Sequence, residues 1–260
     1  MTHAAIRRNR ATPALALVLL VTGAGLVSVL ATSLGLFPLF GPAGLSTQGY
    51  AAAGADLRLA VRETLVIAIS STVLAAAAGL LLGTVVLVFS RYRWLVGGLA
   101  AGVVAVPHLV GAASVDLLIG DTGLLPRILG LDPEHWPDLV GGAWPAATAL
   151  EFAWKESAFV GVVVIATVGR RLTDLLEVAA VLGAGPWRRW SRVLVPAALP
   201  AVAGSSVIVF VYTVGSYEVP WLLGRSYPEP LPVMAYRLFG SIDLAARPQA
   251  GRGGGRGEGG

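Results

Sequence analysis

The sequence predicts an all-α, polytopic transmembrane bundle. Three observations predict it. Of 260 residues, 55% are hydrophobic and only 13% are charged, where a soluble domain carries nearer about 25%. The mean hydropathy is +0.74. The apolar residues also fall in uninterrupted runs long enough to cross a bilayer, which takes about 20 residues as a helix. A soluble enzyme, a nucleic-acid binder and a disordered chain are all disfavoured by this balance.

The first run, roughly Ala14–Phe37, follows a polar stretch carrying Arg7, Arg8 and Arg10. It exceeds the ~7–15 apolar residues of a cleaved signal peptide, so it reads as an uncleaved span. Residues 38–63 form a loop with Pro, Gly and Ser, ending in Leu57–Glu63. The second span is about Thr64–Phe89 and stops at Arg91-Tyr92-Arg93; the third is about Trp94–Ile119. A polar loop with Asp121, Pro126, Asp132, Pro133, Glu134 and Pro137 leads to the fourth span, about Ala143–Val168, which stops at Arg170-Arg171. The fifth is about Ala197–Leu223. The last ten residues are Gly/Arg-rich and of low complexity, unable to pack a core or cross a bilayer.

The cations are 18 Arg and Lys155. With the N-terminus in the cytoplasm, the inner segments hold ten arginines (7, 8, 10, 91, 93, 170, 171, 188, 189 and 192), and the longer outer loops hold six (58, 62, 127, 225, 237 and 247). The bias supports that orientation. There is no cysteine, so thiolate chemistry and disulfides are excluded. No Gly-x-x-x-x-Gly-Lys-Ser/Thr, His-Glu-x-x-His or Gly-x-Ser-x-Gly occurs. The expectation is a chain without catalytic residues, cofactor or metal, and without a nucleic-acid partner.

The segment 170–196 is informative because it is long for a loop and has an apolar stripe. Leu172, Leu175, Leu176, Ala179, Ala180 and Gly183 recur at helical spacing. Thr173 and Asp174 are placed to cap a helix start, and Asp174 with Glu177 has capping-box spacing. Gly183-Ala184-Gly185-Pro186 breaks the helix, and a second amphipathic piece, Trp187–Val195, leads to Pro196 at the start of the fifth span. By periodicity alone this is a helix-turn-helix packed on its own bundle, an interfacial helix on lipid headgroups, or a docking surface whose small residues admit a partner closely.

Glu177-Val178-Ala179-Ala180-Val181-Leu182-Gly183, nine residues, then Val193-Leu194-Val195-Pro196 resembles the EAA loop of ABC importer permeases. That pattern is Glu-Ala-Ala, three residues, Gly, nine residues, Ile-x-Leu-Pro. Val178 stands in place of the first Ala, Val193 of Ile and Val195 of Leu. Trp154-Lys155 with Phe159 resembles the family's approach to the loop, and residues 60–250 resemble the permease domain of MetI-like type I importers. Residues 215–224, Leu231-Pro232-Val233 and Tyr236-Arg237 look like the branch handling polyamines, iron, thiamine or phosphonates. The resemblance implies a coupling helix docked on a cytoplasmic ATP-binding subunit, with Glu177, Ala179, Ala180, Gly183 and Pro196 as coupling residues. It further implies a second permease subunit, identical or different, and an extracytoplasmic solute-binding protein. The organisation expected is an N-terminal segment with the first span and outer loop (1–58), a permease domain (59–247) and the tail (248–260). The family has a sixth span where the Gly/Arg tail stands, so a truncated or frameshifted product is expected.

Charges inside spans default to a functional reading because each costs about 2.5–3.5 kcal/mol at mid-bilayer on insertion scales. Glu151 and Lys155 stand at i,i+4 beside Glu156, either facing a wet pathway or forming a self-neutralised pair. Tyr217 and Glu218 precede Pro220 near the end of the fifth span, either contacting a cationic solute or anchoring at the interface. Asp116 is similarly open. His108 follows Pro107 and either relays protons or satisfies backbone freed by the kink. Gly79 and Gly83 form a GxxxG face for close helix contact. An ion-coupled secondary transporter or channel using these charges is the competing function.

Overall fold

In the computed structural model the described residues are 3–37, 43–47, 50, 54–88 and 93–240. The turn at Arg91 and the Gly/Arg tail lie outside them, as do the side chains of Arg7, Arg8, Arg10, Arg93, Arg170, Arg171 and Thr173. The chain divides into two compact units, Met1–Leu59 with Met234–Gly260, and Ala60–Val233.

The first unit is built on α1, His3–Ser33. Its apolar side chains from Leu15 to Leu30 are largely exposed, as a lipid-facing helix requires. Gly35 takes a left-handed φ of 76° and turns the chain, and the Tyr50 hydroxyl donates to Ser33 Oγ at 2.8 Å.

The second unit begins inside α2, Gly54–Val88. This helix starts ten residues earlier than the loop reading of 38–63 allows. Leu, Ala and Arg dominate 57–62, and Asp56 sits in the first turn where a negative charge suits the helix dipole. The expected third span is two helices, α3 (Arg93–Ala105) and α4 (His108–Ile119). Pro107 has no N–H for the carbonyl of Val103 and the helix breaks there. The polar loop holds α5 (Leu124–Leu129), closed by Gly130 at φ 66°, and a 3-10 turn, Pro133–His135.

Helix α6, Ala146–Val181, corrects the largest expectation. The fourth span does not stop at Arg170-Arg171; it continues unbroken through the stretch that carries the apolar stripe. Positions 173 and 174 are mid-helix rather than at a helix start, and the N-cap is Pro145. At 36 residues the helix is about 54 Å long, against a hydrocarbon core of about 30 Å. Its apolar part, Ala146–Gly169, is long enough to cross. The remaining turns run on beyond it.

The return arm is α7 (Pro186–Arg189), a π turn (Trp190–Leu194) and α8 (Val195–Gly215). The wide turn precedes Pro196, whose ring would otherwise press on the carbonyl four residues back. The expected fifth span to Leu223 ends instead at Gly215. Ser216 is extended, and the short α9, Glu218–Leu223, follows. Pro220 lacks the N–H that would bond Ser216, which explains the break. Helix α10 is Leu231–Phe239.

Among the described residues, five stretches qualify as membrane crossings by length and composition: Thr12–Ser33, Gly54–Val88, His108–Leu129, Ala146–Gly169 and Pro186–Gly215. The number agrees with the sequence reading; the third differs in position, with α3 a shorter apolar helix before it.

Helix α6 runs through three buried clusters of the second unit. Phe152 packs with Ile67, Val115, Ile119, Val219 and Leu223. Val160 and Val164 pack with Ala75, Val202 and Val209. Leu172 and Leu176 pack with Leu194. The α2–α6 approach is very close. A Cβ on Gly79 would lie 2.6 Å from Val160 Cβ, and one on Gly83 would lie 3.0 Å from Val164 Cγ1. Gly161 answers from the other helix, where a Cβ would meet Leu82 at 2.5 Å. The GxxxG face therefore serves the close contact expected of it.

Candidate functional site: the elbow and the intramembrane cluster

The elbow is a helix end, a left-handed glycine and a proline-started return. Gly183 has φ +80°. Its N–H donates to Ala180 O at 3.0 Å, and the Ala184 N–H donates to Ala179 O at 2.9 Å. This double closure satisfies the last carbonyls of α6 and needs a residue that tolerates positive φ. Gly185 is extended, and Pro186 supplies the preset φ of the next first turn.

Around this turn the side chains sort by face. Leu172 and Leu176 are buried against Leu194, and Ala179 is half-buried. Glu177 and Ala180 are exposed. Leu175, Val178, Val181 and Leu182 are exposed and apolar, the last two at 88% and 80%. Trp187 stacks on Trp190 with ring centroids 4.9 Å apart. Pro196 is exposed on the first turn of α8.

The second site surrounds the Pro107 break. His108 Nδ1 lies 3.3 Å from Glu151 Oε1, and its Nε2 lies 3.2 Å from Glu156 Oε1. One imidazole thus bridges two carboxylates of α6. Glu151 is fully buried, and the absence of a side chain at Gly111 makes room for it: a Cβ there would stand 2.6 Å from Glu151 Oε1. Lys155, also buried, does not pair with Glu151. Its Nζ donates to the carbonyl of Val106. That carbonyl follows the last residue of α3, where the helix dipole favours a cation. His108 packs with tilted rings against Tyr212 of α8 at 4.9 Å and Phe152 at 5.6 Å between centroids.

Two expectations change here. The carbonyl of Val103 accepts from the Val106 N–H at 3.1 Å, the carbonyl of Val106 at the break accepts from Lys155, and His108 meets carboxylates instead. The Glu151–Lys155 pair is replaced by His108 with Glu151 and Glu156. The i,i+4 spacing is real, but each side chain finds a partner on a different helix, which spacing along one helix cannot reveal. Tyr212 carries no sequence signal of its own.

Tyr217 and Glu218 lie apart from this cluster in the chain, at the α8–α9 break. Tyr217 is half-buried and stacks on Trp221 at 6.1 Å; Glu218 is exposed. Asp116 is half-buried near the end of α4. Sequence reasoning missed one further pair. Arg225 donates to Glu63 at 2.5 Å, and the Leu231 N–H donates to Thr64 Oγ1 at 2.8 Å. Glu63 and Thr64, both buried, thereby hold the 225–231 connection against α2. Among the described residues no group of three His, Asp or Glu is arranged to hold a metal ion.

Taken together, the apolar crossings and the extended helix ending in a glycine elbow define the class as a polytopic helical membrane protein. The match with known families makes the class specific. Residues 75–239 match the family described as binding-protein-dependent transport system inner membrane component, and the chain belongs to that family. It is accordingly a multi-pass inner-membrane protein. The chain is 35% identical over 75 residues to the molybdenum transport system permease protein ModB of Azotobacter vinelandii, a stretch covering 29% of this chain and 33% of that protein. It is 27% identical over 218 residues to the inner membrane ABC transporter permease protein YnjC of Escherichia coli (strain K12), covering 79% of this chain and 40% of that protein. The aligned regions thus span less than half the length of these curated relatives.

Proposed function

We propose that this chain is the permease subunit of an ATP-driven importer, forming the solute pathway and coupling to a cytoplasmic ATP-binding subunit through the elbow. The observation that carries the reading is the Gly183 turn at the end of a helix that outruns the membrane. The family match supports it. The arginine distribution supports placing the N-terminus and the elbow on the cytoplasmic side. Glu177, Ala179, Ala180, Gly183 and Pro196 form the coupling segment. The small residues permit close approach, and the exposed Leu175, Val178 and Leu182 offer an apolar surface for the partner. ATP hydrolysis belongs to that partner. A second permease subunit completes the pathway, and an extracytoplasmic binding protein delivers the solute.

Along the pathway, Glu151 and Lys155 fix the broken span, and the half-buried Tyr217 and the exposed Glu218 are the groups that meet solute. The resemblance at residues 215–224 supports a polyamine, iron, thiamine or phosphonate solute. The molybdenum named for ModB adds an oxyanion to the panel worth testing.

Gly183→Arg is the experiment. A Cβ at Gly183 meets nothing within 4 Å, so a side chain there starts into open space. The left-handed φ adds only about 1–2 kcal/mol of local strain. The expected result is an inserted chain that no longer co-purifies with the ATP-binding subunit and no longer supports uptake. Gly183→Asn, which tolerates the left-handed turn, separates loss of the turn from loss of the smooth surface. Normal uptake and normal co-purification by Gly183→Arg refute the docking role.

A further inference from the structure

We propose that the groove between the end of α2 and the elbow binds one anionic phospholipid, its acyl chain among apolar side chains and its phosphate on Arg189. The groove has a volume of about 840 Å³, within the size range of small-ligand sites. Its walls include Leu81 and Leu87 of α2, Leu176 of α6, and Leu194 of the return arm. Leu81 and Leu87 belong to the last turns of a membrane-crossing helix, so the groove opens where hydrocarbon gives way to headgroups. The stacked Trp187 and Trp190 also line it, and tryptophan is the side chain that favours that depth.

The polar side of the groove carries the decisive observation. Arg189 Nε is buried and has no hydrogen-bond partner. An orphaned guanidinium N–H in an apolar groove calls for an acceptor, and a charged oxygen is the strongest available. Arg188 and Arg192 flank it on the same arm, both exposed. Glu177 is the one acidic residue in the lining. The field therefore favours an anionic headgroup over a zwitterionic one, which brings its own cation toward three arginines. Basic pockets beside membrane helices recognise anionic lipids by this logic.

The site shares Glu177 and Ala180 with the proposed coupling segment but not its exposed apolar residues. At about 100° per residue, Leu176, Glu177 and Ala180 face the groove, while Leu175, Val178 and Leu182 lie on another flank of α6. A lipid in the groove would stiffen the elbow and leave the flank of Leu175, Val178 and Leu182 free.

The test uses the full chain in non-ionic detergent, titrated with phosphatidylglycerol or phosphatidylcholine brominated on the acyl chains. The chain has seven tryptophans. The difference between the wild-type chain and a Trp187→Phe/Trp190→Phe variant isolates the quenching of the stacked pair. The expected result is saturable quenching by phosphatidylglycerol at roughly tenfold lower concentration than by phosphatidylcholine, the factor one or two arginines supply at a membrane surface. Arg189→Gln should bring the two curves together. Equal curves for the two lipids on the wild-type chain overturn the proposal, and that comparison stands even if Arg189→Gln does not fold. Inorganic phosphate, against sodium chloride of equal ionic strength, distinguishes the source of the anion. Continued quenching supports a lipid site, and complete displacement by phosphate overturns it. Gly183→Arg should leave the quenching unchanged, so this proposal and the coupling role fail separately.

Discussion

Replacing His108 by leucine is the sharpest test of how the broken span is held. In the native chain the imidazole bridges Glu151 at 3.3 Å and Glu156 at 3.2 Å. Leucine keeps apolar contact with Phe152 and Tyr212 but offers no polar atom. Two magnitudes compete. Hydrogen bonds between membrane helices average about 0.6 kcal/mol, so losing two costs about 1.2 kcal/mol. Leaving a buried charge without its partner costs about 3–5 kcal/mol. The burial of Glu151 decides for the second. Its carboxylate is wholly buried and Lys155 is engaged by Val106, whereas Glu156 is partly exposed and adds little. The expected loss is about 3 kcal/mol, or more than a hundredfold in the unfolding equilibrium.

The assay is SDS-driven unfolding in mixed micelles, followed by far-ultraviolet circular dichroism, on a double-mutant cycle with Glu151→Gln. Once the charge is gone, His108→Leu strands nothing ionised. The double variant should therefore be more stable than the sum of the single losses by about 2 kcal/mol. Coupling below about 0.5 kcal/mol, the usual scatter of independent sites, would falsify the bridge as an energetic contact.

Gly79→Leu should prevent the α2–α6 approach, because even its Cβ overlaps Val160; helical yield in detergent should collapse, while Gly204→Leu, facing open space, should leave it intact. Lys155→Met strands the Val106 carbonyl and should lower stability by about 1–3 kcal/mol, read by the same SDS titration. Arg225→Met leaves the buried Glu63 without its cation, so protease nicking within 224–230 should accelerate; the same variant in a Glu63→Gln background should recover part of the protection, and no recovery counts against the pair.

What the sequence made legible follows from which forces are local. The spans were legible because hydrocarbon imposes length and composition on each crossing separately. Gly183 was legible because a positive-φ helix end is a property of a few adjacent residues. The continuity of α6 through Arg170-Arg171 was not, because charge marks a membrane boundary and does not break a helix. The proline signals the split at Pro107, but nothing local tells which side chain meets the open carbonyl of Val106. His108 is adjacent in sequence, while Lys155, forty-nine residues away, reaches the carbonyl. The pairing of Arg225 with Glu63 spans 162 residues and leaves no local trace.

The continuity of α6 has a mechanical consequence under the proposed coupling. From Glu151 to Glu177 the helix covers about 39 Å without a break, at ~1.5 Å per residue. A hydrogen-bonded helix transmits displacement along and across its axis better than a jointed pair would. Had the sequence reading been right, with a cap at Thr173–Asp174, the hinge there would absorb part of any motion imposed at Gly183. Instead the hinges lie elsewhere: at Pro107, between α3 and α4, and at Ser216, between α8 and α9. Both flank the polar cluster in the chain. His108, just beyond the first, is tied to α6 through Glu151 and Glu156, and Lys155 of α6 holds the end of α3 through Val106. A shift of α6 must therefore either carry both half-helices with it or break the bridge. A stiff rod with its polar ties on the two sides of one proline break converts movement at the elbow into a change of angle between α3 and α4. By the same reasoning, a hinge introduced into α6 by Asp174→Pro should uncouple uptake from ATP hydrolysis with every elbow residue still in place.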